Sequence, residues 1–222
     1  MKTLKLFILF IFCTNSVNTL FAQNQAYQAP TSPPIPVEVF VTKNDLNFQM
    51  IVSKPFEKDS KFSFFNVTAF KGDFDNKKNE YITQGLVNYD FFKGLAISAG
   101  ATMHYRTGFR PTAGLTYTFA NRTWLLVVLP RFDLTEDKNF ETFGLLEYKP
   151  QLTDKLGLYT RIQGLYNYNT NFEFHDRSYV YLRAGLSYKS YQFGLGANFD
   201  TYGPRKIKEE SYGLFVRAQL FN

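Results

Sequence analysis

The sequence predicts an all-β fold: a single transmembrane antiparallel up-and-down barrel of about twelve strands, with ten as the alternative count. Three observations predict it. Apolar and polar residues alternate with period two along most of the chain, aromatic residues gather at strand ends on the apolar face, and the connections follow a hairpin rhythm. In 95–106, Leu95, Ile97, Ala99, Ala101, Met103 and Tyr105 alternate with Ala96, Ser98, Gly100, Thr102, His104 and Arg106. In 156–169, Leu158, Ile162, Tyr166 and Tyr168 alternate with Arg161, Gln163, Asn167 and Asn169. About a dozen such segments follow one another with almost no helical pattern to cover their apolar faces. A closed barrel with lipid outside and polar groups inside resolves this. A soluble β-sandwich or lipocalin-like barrel is the competing reading, but its buried aromatics have no reason to segregate to strand ends.

The first residues read as a secretory signal. Lys2 and Lys5 form its charged start and Leu6 to Cys13 its apolar stretch, with cleavage after Ala22. The run breaks up at Thr14, Asn15 and Ser16, too early for a membrane-spanning helix. Removing residues 1–22 takes away two lysines and no acids. Lys+Arg falls from 25 to 23 against 19 Asp+Glu, so the net charge falls from +6 to +4. Cys13, the only cysteine, leaves with the signal, which excludes disulfides and thiol chemistry from the mature chain. Residues 23–36, QNQAYQAPTSPPIP, read as a disordered periplasmic lead-in, and 37–222 as the barrel.

The strand candidates fall at 37–42, 46–55, 61–71, 80–90, 94–106, 110–119, 122–132, 139–149, 155–169, 177–188, 191–201 and 211–221. The connections FFKG, FANR, PQLTDK and KSYQ are tight, whereas KGDFDNKKNE, TEDK, NTNFEFHD and TYGPRKIKEE are mostly longer and more polar. Outer-membrane barrels keep short turns in the periplasm and longer loops outside, so this alternation predicts both termini in the periplasm. One strand is irregular: in FSFFNVTAF the alternation slips near Phe64 and Phe65, and a bulge there would restore it.

On the apolar face, Tyr105, Phe132, Phe140, Tyr168, Phe199 and Tyr212 mark the loop ends. Tyr117, Phe119, Trp124, Tyr148, Tyr188 and Tyr191 mark the turn ends, and an aliphatic band including Leu126, Ile162 and Leu182 lies between. Two aromatic girdles around an aliphatic band are what a bilayer selects.

Segments such as FRPTAGLTYTFANRTWLLVVLPRFDLT and HDRSYVYLRAGLSYKSYQFGLGANFD, with the FAQ end of the signal, carry a family likeness. The chain resembles the small uncharacterised outer-membrane β-barrel proteins of Bacteroidota over essentially its whole mature length. The resemblance implies the barrel and an outer-membrane location and brings no activity with it. The last strand, YGLFVRAQLF, is similar to the aromatic-ended signal by which such barrels engage the barrel-assembly machinery, departing from it in Asn222 after Phe221.

Function is therefore expected from the interior. The inward face carries Arg106, Arg110, Arg131, Lys149, Arg161, Arg183 and Arg217 against Glu38, Asp133, Glu141, Glu147 and Asp200. Pairing Thr118 with Thr123 sets Arg110 opposite Arg131, and pairing across LTEDKN sets Arg131 opposite Glu141. A basic cluster with one acid then lines the outer half of the lumen. Two readings stand. Excess Arg would attract anions and select small anionic solutes in a narrow passive channel. Alternatively, mixed charges pair and fill the barrel, with large groups such as Tyr159, Tyr179 and Tyr181 closing it. That would make it a structural barrel or an accessory subunit of a larger envelope complex.

A lipid-modifying enzyme is the third reading, resting on His104 and on His175 beside Asp176 and Ser178 in an outer loop. Two histidines make a poor metal site, and Asp73, Asp75 and Glu80 are read as a solvated loop beside Lys77 and Lys78. No cofactor, metal or nucleic-acid partner is expected; lipid and small anionic solutes are, and protein partners are left open.

Overall fold

The computed structural model describes residues 33–75, 79–136 and 138–221. The signal, Cys13 and most of the lead-in lie outside the described residues, as do Lys77 and Lys78. The twelve strands are β1 (Ile35–Thr42), β2 (Asp45–Pro55), β3 (Phe62–Asp73), β4 (Asn79–Phe92), β5 (Leu95–His104), β6 (Gly108–Ala120), β7 (Trp124–Asp133), β8 (Asn139–Tyr148), β9 (Leu156–Asn169), β10 (Phe174–Tyr188), β11 (Tyr191–Tyr202) and β12 (Ile207–Leu220). Each pairs antiparallel with its neighbours in sequence, and β1 pairs with β12 to close the barrel. The count is twelve, not ten. The first strand runs from Ile35 and so takes in the last two residues read as lead-in.

Closure leaves no sheet edge unpaired. It also divides every strand into an inward and an outward row. Glu38, Phe40 and Thr42 are buried inside β1, while Val41 between them is exposed. The outward rows are apolar: Ile97, Leu115, Leu146, Ile162, Leu182, Leu195, Leu214 and Val216 all face out and are exposed, whereas the buried residues are mostly polar or charged. This distribution is inverted relative to a protein folded in water, where exposed charge surrounds a buried apolar core.

The irregularities differ from expectation in three ways. FSFFNVTAF contains no bulge: β3 pairs in continuous register with β2 and β4, and Phe65 turns inward as a core residue. The register shifts lie instead between Asp90 and Phe92 and between His175 and Arg177. The loops are shorter than the polar segments suggested. NTNFEFHD is half strand, leaving Thr170 to Glu173 as a connection, and TYGPRKIKEE leaves only Gly203 to Lys206. Connections at the two ends are thus of similar length. Finally, Thr118 faces Val127, so Arg131 lies opposite Gly114 and not Arg110. The cause is local. Asn121 Oδ1 accepts from the N–H groups of Thr123 and Trp124 at 2.8 and 2.7 Å and caps a tight turn. Paired positions then skip Leu115–Thr116 against Leu129–Pro130, where proline has no N–H to give.

Glycines permit close approach of the β10 and β11 backbones. Gly185 of β10 faces Gly194 of β11. A Cβ on Gly185 would fall 2.0 Å from the Phe193 carbonyl oxygen, and one on Gly194 would fall 2.5 Å from the Gly185 Cα. At the β4–β5 turn, Gly94 adopts φ 77°, a left-handed conformation that L side chains resist. Gly144 has open space around it. Gly185→Ala should therefore destabilise the barrel by about 1–3 kcal/mol, whereas Gly144→Ala should stay within about 0.5 kcal/mol. Urea unfolding of detergent-solubilised protein measures both. Equal costs would remove the close approach as a constraint.

Candidate functional site

The inward rows converge on the barrel axis, and the site is the lumen they fill. Toward the barrel end away from the two termini, Arg131 donates from Nε and Nη2 to Glu141 Oε1 at 3.0 and 2.7 Å. Its Nη1 reaches Asp133 Oδ1 at 2.5 Å, and Arg110 takes the other oxygen of Asp133 at 2.8 Å. Arg131 and Glu141 do face each other across the β7–β8 hairpin. The cluster holds two acids, not one, because Asp133 sits two residues along the same inward row. The second cluster centres on Glu38, whose Oε1 accepts from Arg161 at 2.6 Å and from Arg183 at 2.9 Å. The Arg183 guanidinium lies 3.9 Å from the Phe40 ring centre. Gly196 makes room for it, since a Cβ there would fall 2.9 Å from Arg183 Nη1. The third cluster joins Glu147 to Arg217 at 2.8 Å and to Lys149 at 3.0 Å. Tyr159 Oη donates to Glu147 at 3.1 Å and accepts from Arg217.

Period two extended to the strand ends would have added four more groups. Arg177 occupies the inward row of Tyr179, Tyr181 and Arg183, at the start of the regular pairing that follows the β10 irregularity. It pairs with Asp200 at 2.8 Å and with Glu80 at 3.2 Å. Glu80, read as a loop acid, is buried in this pair, and Lys71 approaches Glu209 at 3.5 Å. Arg106 is the exception among the candidates: its side chain is 54% exposed in the β5–β6 turn and only approaches Asp176, at 3.9 Å.

These ion pairs draw on nine cations (Lys71, Arg106, Arg110, Arg131, Lys149, Arg161, Arg177, Arg183, Arg217) and nine acids (Glu38, Asp45, Glu80, Asp133, Glu141, Glu147, Asp176, Asp200, Glu209) among the described residues. The expected cationic excess is absent from the paired set. The reason is that the acids sit at strand ends that were read as loop.

Reach across the lumen decides whether anything can pass. Strands β10 and β4 lie six places apart in the ring of twelve, on opposite walls, yet Arg177 of β10 touches Glu80 of β4. Glu38 of β1 meets Arg161 of β9, four strands away, and Glu147 of β8 meets Arg217 of β12. Below and between these pairs lies an apolar filling that the sequence reading did not foresee. Phe65, Leu86, Leu129, Phe143 and Leu145 form one buried cluster, and Phe40, Tyr159 and Phe215 another. Phe40 and Tyr159 are 0% exposed, so no water-sized passage runs beside them.

His175 takes another role than the one expected. His175 is in β10, not in a loop. Its Nδ1 lies 3.0 Å from the Gly203 carbonyl oxygen, which can only accept, so Nε2 accepts the Ser178 hydroxyl at 3.0 Å. Asp176 is not part of this arrangement: its carboxylate turns to Asn139 and Arg106. The contact clasps the β10 irregularity to the β11–β12 turn. Asp73 Oδ1 accepts from the Asp75 N–H while Glu80 faces the lumen, so the three loop acids do not converge.

On the outer surface, the aromatic candidates meet across strands. Phe132 lies 4.9 Å from Phe140, Trp124 4.4 Å from Tyr148, and Phe199 5.9 Å from Tyr212. Tyr105 approaches Tyr81 at 6.5 Å, Tyr168 stands opposite Phe140, and Tyr188 opposite Tyr191. Tyr117 and Phe119 project from the outward row of β6 beside Val128 and Leu126.

No protein-family model matches the chain, and no curated protein sequence is similar to it. Among solved structures, it is similar to the NanC porin, with 11% identity, 85% of this chain, 100% of that chain and a TM-score of 0.48. It is also similar to the KdgM porin in complex with disordered oligogalacturonate, with 14% identity, 84% and 98% coverage and a TM-score of 0.45. Pseudomonas aeruginosa OpdL follows at 10% identity, 76% and 65% coverage and a TM-score of 0.40. Likeness at this level does not bear on site or activity.

Glu38 supplies a direct test of the lumen's energetics. Glu38→Gln leaves two buried guanidinium groups without their shared counter-charge and should cost about 3–5 kcal/mol. Arg106→Gln, at an exposed pair, should cost about 0–1 kcal/mol. Urea midpoints in detergent micelles should separate the two variants; coincident midpoints would show that Glu38 is not what neutralises this cluster.

Proposed function

We propose that the protein is an integral outer-membrane barrel without catalytic activity, shut along its axis at rest: a structural barrel or accessory subunit of an envelope complex. The observation that carries this reading is the contact of opposite walls through Arg177 and Glu80, above buried Phe40 and Tyr159. A filled lumen rigidifies the wall and passes no solute. The membrane part of the proposal is supported by the exposed aliphatic rows around a charge-filled interior, an arrangement favourable in lipid and costly in water. The aromatic girdle residues would sit at the two interfaces, the last strand would engage the barrel-assembly machinery, and both termini would be periplasmic.

A second reading is a gated passage for small anionic solutes. Two neighbouring cavities, of about 130 and 70 Å³, share His104, Arg177 and Tyr181 in their walls, and the smaller reaches Glu38 and Arg161. Parting of the Arg177 contacts would lengthen this path from the rim.

Planar bilayers distinguish the two. Inserted wild-type protein should show no steady conductance at moderate voltage; anion-selective steps that grow in Arg177→Ala would replace the closed reading with the gated one. For the membrane assignment, Leu126→Arg and Leu182→Arg should each cost about 2–4 kcal/mol in lipid vesicles, the range for lipid-facing positions near the bilayer centre. No cost at either position would remove it. For orientation, a cysteine at Glu173 should react with an impermeant thiol reagent on intact cells and one at Asp154 should not; labelling at Asp154 alone would invert the barrel.

A further inference from the structure

The larger cavity begins at the rim, beside Arg106 and Thr107, and descends between opposite walls. At about 130 Å³ it is well above the roughly 10–15 Å³ that a cavity needs to admit one water. One wall is aromatic. The Tyr179 and Tyr181 rings of β10 stack at 4.1 Å with 12° between their planes. Both are held by their hydroxyls: Tyr181 Oη donates to Asp200 at 3.0 Å, and Tyr179 Oη accepts from Gln163 at 3.2 Å. The facing wall is polar. Gln84 of β4 and Thr102 of β5 stand opposite each other in register, 6% and 2% exposed.

Three polar atoms on these walls are buried without a hydrogen-bond partner: Gln84 Nε2, Thr102 Oγ1 and Arg177 Nε. Native proteins rarely leave such groups unpaired. The three side chains line the cavity but their polar atoms are sealed from it, so small turns of these side chains toward an occupant would give each a partner. The charges say what kind. Arg110 and Arg131 are neutralised by Asp133 and Glu141, Arg177 lies between Glu80 and Asp200, and Arg106 approaches Asp176. Four cations thus face five acids, which gives an anion no net attraction. The cavity offers a fixed aromatic wall, donors on two sides and no excess charge.

We propose that this vestibule binds one ring of a neutral sugar. Its C–H face packs against the tyrosine pair, and its hydroxyls accept from Gln84 and Arg177 and exchange a hydrogen bond with Thr102 as these side chains turn toward it. A hydroxylated ring suits the site because each hydroxyl both donates and accepts, matching donors on two walls and carboxylates nearby. The site does not depend on whether the lumen is shut below it, so its test is separable from conductance.

Full-length protein in a zwitterionic, sugar-free detergent is titrated with D-glucose and D-galactose, followed by calorimetry and by saturation-transfer NMR on the ring protons. Glucuronate and inorganic phosphate serve as anionic comparisons. Saturable binding of a neutral hexose, stronger than that of either anion, is expected. Thr102→Val keeps the side-chain shape and removes the free hydroxyl, and should weaken binding about tenfold, the worth of one hydrogen bond. Tyr179→Leu should abolish the ring-proton transfer. Circular dichroism and heat-modifiable gel mobility confirm that each variant remains a folded barrel. Absence of saturable hexose binding would leave water as the occupant and overturn the proposal. Tighter binding of glucuronate or phosphate would overturn it in favour of an anion site, and hexose affinity unchanged in both variants would place binding elsewhere.

Discussion

A charge inside a narrow barrel must find its opposite there, because solvent cannot reach it. This requirement organises the lumen. Glu38 accepts from two arginines through one oxygen, and Asp133 divides its oxygens between Arg110 and Arg131. The first draws β1 to β9 and β10 across the axis, where the pairs act as struts, and the second ties β6 to β7 along the wall. Burial of an ion pair yields little net stability against an apolar equivalent, but loss of one member is costly. The lumen is therefore specified more than it is stabilised. It tolerates few alternative arrangements, because moving one arginine strands an acid several strands away.

The apolar filling works with this lattice. Phe40 lies beneath the Arg183 guanidinium, and Tyr159 touches both Glu147 and Phe215. Aromatic faces thus cover the charged groups and exclude water from them, which strengthens the pairing electrostatically. Gly196 leaves room for the Phe40 ring and the Arg183 side chain, and Gly185 and Gly194 let the β10 and β11 backbones approach closely. Wall and filling depend on each other: a side chain at Gly196 would collide with Phe40 and Arg183.

The fold was largely legible in the sequence because period-two alternation is a local property. All twelve strands lie where the alternation runs, and VEVFVT, though short, supplies the member that closes the ring. Strand ends were less legible. Glu80, Arg177 and Lys208 lie in polar stretches that look like loops, but a barrel strand that ends in water is polar on both faces. That one ambiguity lengthened the loops, placed His175 outside the sheet and hid half of the Arg177 cluster. The β6–β7 register was misread because the turn is set by one side-chain cap at Asn121. Contacts across the axis were not legible at all, since Glu80 and Arg177 meet only through the closed geometry of the ring. Inward Phe65 and Leu129 were obscured for a related reason: an apolar residue on the polar row reads as a break in the pattern when it is part of the core.

The seam between β1 and β12 has a kinetic consequence. Every other pairing joins neighbours in sequence, whereas Ile35 meets Leu220 across the whole length of the barrel sequence. Hairpins can form as the chain emerges, but this pairing must await the final strand and bears the largest loop-closure entropy. Until then Glu38 is carried on an unzipped edge while Arg161 and Arg183 wait without it. The seam is therefore the pairing with the largest closure cost, and an assembly factor that holds the two terminal strands near each other would lower it.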